Sequence, residues 1–264
     1  MLLRNLVTKR SIHTVPKLPS IHQLETTGIP KVYSPAGFKT VWSDYQAFLC
    51  DKLTLKTAGT SYEANIPFHI ILSTAKKPYQ TQLFNLASAV HNNHLFIENI
   101  LPVSGSDNRP SQTFLSRVRD SFDVEWEELK ENIVRLTERK VIGQGWFFLI
   151  ENGNKELHCL TLQNNGTPYY FPRNQLFDLN APVNLSEFSH LEQIREMVVS
   201  GNGSPHSESP QQQHVIRDWS MPLICVNLWD YAYLPDYGVT GRSTYVRNVL
   251  DNLNWNVVNS RLYK

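Results

Sequence analysis

The sequence predicts an α+β chain, an N-terminal helical hairpin followed by a small three-stranded sheet packed with helices, and three observations carry that prediction. Apolar residues recur at spacings of three and four over 36–56 and again over 80–99, the period of helices with one buried stripe. Short runs rich in aromatic and branched residues come only later, at 146–151, 156–162 and 222–227. Helices first and strands afterwards, without strict alternation, mark the α+β class. The 264 residues suffice for a substantial core, and 41% hydrophobic with 11% aromatic content excludes general disorder.

Taken in order, residues 1–24 hold Arg4, Lys9, Arg10 and Lys17 with no acid, and Leu2, Leu3, Leu6 and Val7 supply an apolar side. That make-up predicts a mitochondrial transit peptide and lead segment, the plainer alternative being a frayed basic terminus. The hairpin domain, expected over 25–102, draws its first helix from Phe38, Val41, Trp42, Tyr45, Phe48, Leu49 and Leu53. Its second helix uses Leu83, Phe84, Leu86, Ala87 and Val90, running into His94 and Asn99. A polar loop from Ser104 to Ser111, with Gly105, Asn108 and Pro110, separates the halves.

The second domain is expected over 113–264. Residues 114–122 and 126–137 read as helices, the latter with Glu127, Glu128, Lys130 and Glu131 on a solvated face. Two strands flank the turn Asn152-Gly153-Asn154, a third spans 222–227, and a helix over 245–253 closes the chain. Two insertions are expected: 163–185, aromatic, turn-rich and ordered, and 200–214, rich in Ser, Gly, Pro and Gln and exposed. The aromatic loop either docks a partner through Tyr169, Tyr170 and Arg173 or packs on its own domain.

Composition also excludes function classes. A formal charge of +1 does not suit a protein whose affinity comes from coating phosphates. No run of about 18 apolar residues is present, so no membrane-spanning helix and no membrane partner are expected. Cys50, Cys159 and Cys225 form no C-x-x-C pair and read as reduced packing residues. There is no phosphate-binding Gly loop, no G-x-S-x-G elbow and no Cys/His dyad signature. His91 and His94 share a helix face and could touch one ion, but no metal site is expected of them.

Near the C-terminus, Asn227-Leu228-Trp229-Asp230-Tyr231-Ala232-Tyr233 is followed by Asn254-Trp255, Val257 and Val258. This resembles the iron/manganese superoxide dismutase signature, D-x-W-E-H-A-Y then N-W-x-x-V, with the family's Asp ligand falling on Asn227 and a His ligand on Tyr231. The stretch Asn93 to Pro102 matches the family's H-x-L-F-W-E-N-L-x-P without gaps and places Asn93 at another ligand, although a one-residue gap restores His94. Matching the Asp51–Leu53 end of the first helix places Val41 at the remaining ligand, with Tyr45 and Leu49 at two gateway positions. The family's solvent-binding glutamine falls on Ala89 or on Ile142, just before Gly143-Gln144-Gly145-Trp146. Asp230 stands where the family has the Glu that bridges its homodimer.

The resemblance therefore implies a dismutase-like fold with former ligand positions Val41, Asn93, Asn227 and Tyr231, no metal, no cofactor and no catalytic residue. The chain resembles the ligand-free branch found in the fungal mitochondrial small ribosomal subunit. That branch implies a structural, non-enzymatic role in mitochondrial translation in the matrix, with small-subunit proteins as partners. It also implies a heterodimer with a second dismutase-like protein and limited rRNA contact. Trp229, Asp230 and Tyr231 join Tyr169, Tyr170 and Arg173 as candidate interface residues, and Trp146, Trp229 and Trp255 are expected core anchors. The basic residues Arg117, Arg119, Arg135, Arg139, Lys140, Arg242, Arg247 and Arg261 are candidate phosphate contacts or solvated faces. A working superoxide dismutase is the competing reading, and a free soluble scaffold is a third.

Overall fold

The computed structural model describes residues 12–75, 77–103, 108–169 and 220–263. A short helix α1 (Ile21–Thr27) precedes the hairpin. Gly28, at φ 71°, turns the chain so tightly that any side chain would strike the Tyr33 carbonyl. The first long helical run comprises α2 (Pro35–Phe38), a π-helical segment (Lys39–Asp44) and α3 (Tyr45–Thr57). Ser34 caps its start by accepting from the Gly37 N–H at 3.0 Å, with Pro35 at the first helical position. Helix α4 (Pro67–Thr74) leads to α5 (Thr81–Ile100), which completes the hairpin.

In the second half, α6 (Gln112–Phe122) and α7 (Trp126–Lys140) come before the sheet. Ser111 caps α6 through the Phe114 N–H at 3.2 Å, and α7 places Glu127 and Glu128 in its first turn and Arg139 and Lys140 in its last, matching the helix dipole. The strands are β1 (Gly145–Asn152), β2 (Leu157–Gln163) and β3 (Ser220–Asn227), all antiparallel in the order β2-β1-β3. Pro222 sits on edge strand β3 where the register shifts beside Ile150. The chain then runs through α8 (Asp230–Tyr237), α9 (Arg242–Asp251) and α10 (Trp255–Arg261).

Of the loop residues after β2, 164–169 are described and dock on α5: the Gly166 carbonyl accepts from Ser88 Oγ at 3.2 Å and Asn92 Nδ2 at 2.8 Å. The rest of the 163–185 insertion, including Tyr170 and Arg173, and all of 200–214 lie outside the described residues.

One large apolar cluster runs through both halves, joining Phe38, Trp42 and Phe96 of the hairpin to Trp146, Phe148, Ile224 and Val249. A smaller cluster, with Leu49, Leu53, Ile70 and Ala87, lies within the hairpin. Trp146 is fully buried and Trp229 packs on the core as a half-buried side chain. Trp255 joins an edge-to-face triangle with Phe114 and Trp126, at centroid distances of 5.1, 5.4 and 5.3 Å, that ties α6, α7 and α10 together. Trp255→Ala is expected to cost about 3–5 kcal/mol, measured by urea unfolding, because the triangle cannot collapse around the missing ring.

Asn99 guards the outer edge of β3. Its Nδ2 donates to the Leu223 carbonyl at 3.0 Å and its Oδ1 accepts from the Cys225 N–H at 3.0 Å, so one side chain of α5 supplies the ladder bonds that a neighbouring strand would make.

Candidate functional site

The structure brings Val41, Asn93, Asn227 and Tyr231 together from the π-helical segment, α5, the end of β3 and the first turn of α8. Asn93 Nδ2 donates to the Val41 carbonyl at 3.0 Å and to Gln46 Oε1 at 2.9 Å. Its Oδ1 accepts from Asn227 Nδ2 at 3.3 Å, and the same Asn227 nitrogen donates to the Tyr231 hydroxyl at 2.9 Å. Asn227 Oδ1 accepts the Trp229 N–H at 3.0 Å, and Gln46 Nε2 donates to the Val90 carbonyl at 3.0 Å. Val41, Gln46, Asn93 and Asn227 are fully buried. Every amide group of the three side chains thus has a partner, the condition under which a buried polar cluster holds a core in one arrangement.

Local structure explains the geometry. The wide turn of the π-helical segment presents the Val41 carbonyl to Asn93, as such bulges do where a helix meets a special site. Asn227 ends β3, so its side chain enters the space that α8 closes. Tyr45 lies against Tyr231 with ring centroids 4.1 Å apart, and burial, foremost, raises the phenol pKa of both, most strongly for Tyr231. Both phenols therefore stay neutral at physiological pH.

Asn93, not His94, faces this cluster. His94 lies 5.8 Å from the Trp42 ring and 3.5 Å from Glu98, on another side of α5. His91 shares a 2.6 Å hydrogen bond with the Tyr169 hydroxyl. Of the two positions at which the family's glutamine could fall, Ala89 is buried and Ile142 is 85% exposed. The amide beside Asn93 is Gln46, which sequence reasoning missed; its only signal was a polar residue inside the apolar stripe of the first helix.

The resemblance points to iron or manganese, and the donors present do not fit such an ion. Val41 offers no ligating side chain, and both Asn93 amide protons point at acceptors already in place. Asn227 likewise spends its amide protons on Asn93 and Tyr231. A valine, two amides and a neutral phenol stand at the positions the resemblance gives to the imidazoles and carboxylate that hold a redox-active ion. Among the described residues no group of three or more His, Cys, Asp or Glu is placed around a common point.

The candidate interface residues divide. Tyr231 and Tyr169 turn their hydroxyls inward, to Asn227 and His91. Asp230 accepts from Gln144 Nε2 at 3.1 Å and from the Tyr233 hydroxyl at 2.9 Å, and Trp229 remains half-buried. Most of the candidate phosphate contacts have internal partners. Arg247 pairs with Glu131 through two nitrogens, Arg261 with Glu98, Arg117 with Glu151 and Arg119 with Glu125.

Burial, then His94 and Arg261, lower the His91 pKa to about 3. The unfolded chain, near 6.5, therefore binds a proton that the folded chain does not between those values. His91 thus lowers stability as pH falls through this window, by up to about 1.4 kcal/mol per pH unit, and nothing is lost above it. His91→Gln should flatten that part of a stability-against-pH curve measured by thermal unfolding.

Comparisons with known proteins agree with this geometry. Residues 200–261 match the C-terminal domain of the iron/manganese superoxide dismutases. The small ribosomal subunit protein mS43 of Schizosaccharomyces pombe is 25% identical over 95% of this chain and 84% of its own length. The small ribosomal subunit protein mS42 of the same yeast is 28% identical over 74% of this chain and 73% of its own. The chloroplastic superoxide dismutase [Fe] 2 of Arabidopsis thaliana is 22% identical over 84% of this chain and 61% of its own. The chain thus has an α+β fold like that of the iron/manganese superoxide dismutases, with residues 200–261 matching their C-terminal domain, and it holds a closed relay of amides and a phenol among Gln46, Asn93, Asn227 and Tyr231.

Proposed function

We propose that this chain is a structural component of the mitochondrial small ribosomal subunit, working in the matrix in support of mitochondrial translation and not as an enzyme. The observation that carries the reading is the relay itself: each former ligand position is filled by a group that crosslinks helices, and two similar proteins are small-subunit ribosomal proteins. A basic, acid-free N-terminal segment supplies the route into mitochondria. Sedimentation of a mitochondrial lysate is expected to place the chain with the small subunit. The purified chain is expected to hold no stoichiometric iron or manganese and to show no dismutase activity. A metal-loaded, active and free protein would overturn the reading in favour of a dismutase.

Within the subunit, a second dismutase-like protein is the proposed immediate partner, met through the surface around Trp229 and Asp230. That surface borders the loop of Gln144 and the exposed Ile142, and an aromatic anchor with apolar neighbours suits a protein interface. Tyr169, Tyr170 and Arg173 are proposed as further partner contacts. Internal pairing of most arginines favours protein over RNA contact, leaving rRNA a limited share at exposed positions such as Arg139 and Lys140.

A further inference from the structure

Residues 12–24 are part of the folded body. The His13 N–H donates to the Thr54 hydroxyl at 3.0 Å, and His13 Nε2 shares a 2.9 Å hydrogen bond with Thr57 Oγ1. Thr54 and Thr57 lie in the last turns of α3, so this strap crosses the end of the hairpin's first helix. Val15 packs against both apolar clusters at once, and Leu18 and Leu24 are buried in the larger one. Ile12, His13 and Pro16 form one wall of a cleft of about 450 Å³ that faces Cys50, Phe68 and His91. Beyond the strap, Ser34 binds Asp236 through its N–H at 2.9 Å and its hydroxyl at 2.6 Å, and Tyr33 shares a 2.9 Å bond with Tyr245.

The chemistry of the chain changes at the same place. Arg4, Lys9 and Arg10, with Leu2, Leu3, Leu6 and Val7, all lie at or before residue 10, whereas His13 already has hydrogen-bonding partners in the body. We propose that the chain is proteolytically processed at one of the peptide bonds between Arg10 and His13, so that the mature protein opens at Ser11, Ile12 or His13 and keeps 13–24 as a structural strap. The proposal rests on the reading of the basic segment as a mitochondrial presequence. The step is hydrolysis: water adds across one amide, its oxygen going to the carboxylate of the released peptide, and the new terminus leaves as an ammonium group.

A later cut would strip Thr54 and Thr57 of His13 and then empty the seats of Val15 and Leu18, opening the large cluster to water. An earlier cut would leave the targeting cations on the mature protein.

Terminal labelling and mass spectrometry of the chain recovered from mitochondria reads the outcome directly. A terminus at residue 11, 12 or 13 is expected. A terminus at Thr14 or beyond, or between residues 3 and 10, overturns the proposal while leaving the presequence reading intact. A chain still starting at Met1 or Leu2 overturns that reading and the proposal with it. As a second readout, Leu18→Ala in the full chain should lower the melting temperature by roughly 5 °C or more. An unchanged melting temperature would show that the strap is dispensable to the fold and would overturn its structural role.

Discussion

Asn93→Ala will lower the stability of this protein by about 4 kcal/mol, because it strips the donor from two buried acceptors at about 1–3 kcal/mol each and leaves a small cavity. The acceptors are the Val41 carbonyl and Gln46 Oε1, and both are dry. For a chain of this size the melting temperature should fall by roughly 10 °C. Asn93→Asp should be worse, since a carboxylate there accepts where two acceptors need a donor. Asn227→Asp restores the family's ligand type and is still expected to destabilise at neutral pH. Its carboxylate would lose both donations, to Asn93 Oδ1 and to the Tyr231 hydroxyl. A buried acid of this kind has a raised folded-state pKa, so the Asn227→Asp variant should gain stability as pH falls through the acid range, the sign opposite to that of His91. Thermal melts of the three variants at pH 5 and pH 7 are the measurement; equal melting temperatures for wild type and Asn93→Ala would mean that the relay does not crosslink the two halves.

The relay also marks the limit of what the residue pattern could tell. The first helical run was legible because its apolar residues hold one stripe, of which Phe38, Val41, Trp42, Leu49 and Leu53 are buried, whereas Tyr45 is half-buried and Phe48 is 53% exposed. Its π-helical segment was not, because one wider turn barely disturbs that stripe and the Asn93 side chain that meets its Val41 carbonyl lies 52 residues away. Gln46 was missed for the same reason: a buried amide looks like a surface residue until its partners are known. Helix α4 has the ambiguity of any short apolar run, His69-Ile70-Ile71-Leu72, where length and period do not separate helix from strand; Pro67 at its first position was the usable signal. Helix α10 follows an Asn254 cap that accepts from the Val257 N–H at 3.3 Å, and the cap lay in the Asn254-Trp255 motif itself. By contrast, Asn93 and Asn227 lie in motifs at the ends of the two elements that meet there, and the two side chains are in contact.

The other large effect lies at the opposite end of the core, where charge and not amide chemistry closes the chain. Glu151, near the end of β1, has no exposed surface and pairs with Arg117 of α6, whose side chain is 11% exposed. The Tyr263 N–H donates to Glu151 Oε2 at 2.8 Å, and Arg117 Nη2 donates to the Tyr263 carbonyl at 2.6 Å. The pair therefore joins α6, the central strand and the C-terminal residues in one ring of bonds. Glu151→Ala should cost about 3 kcal/mol, since it leaves a largely covered guanidinium, 11% exposed, without its carboxylate. The double variant Glu151→Met with Arg117→Leu should recover most of that loss, because the desolvation penalty of both charges goes with them. The two share one effect: Tyr263 loses this acceptor in both, so removal of Lys264 and then Tyr263 by carboxypeptidase should speed up in both, including the one whose stability returns. A single variant as stable as wild type would mean that the pair is open to water; a double variant no better than the single would mean that packing of the Arg117 stem, and not its charge, is what α6 contributes.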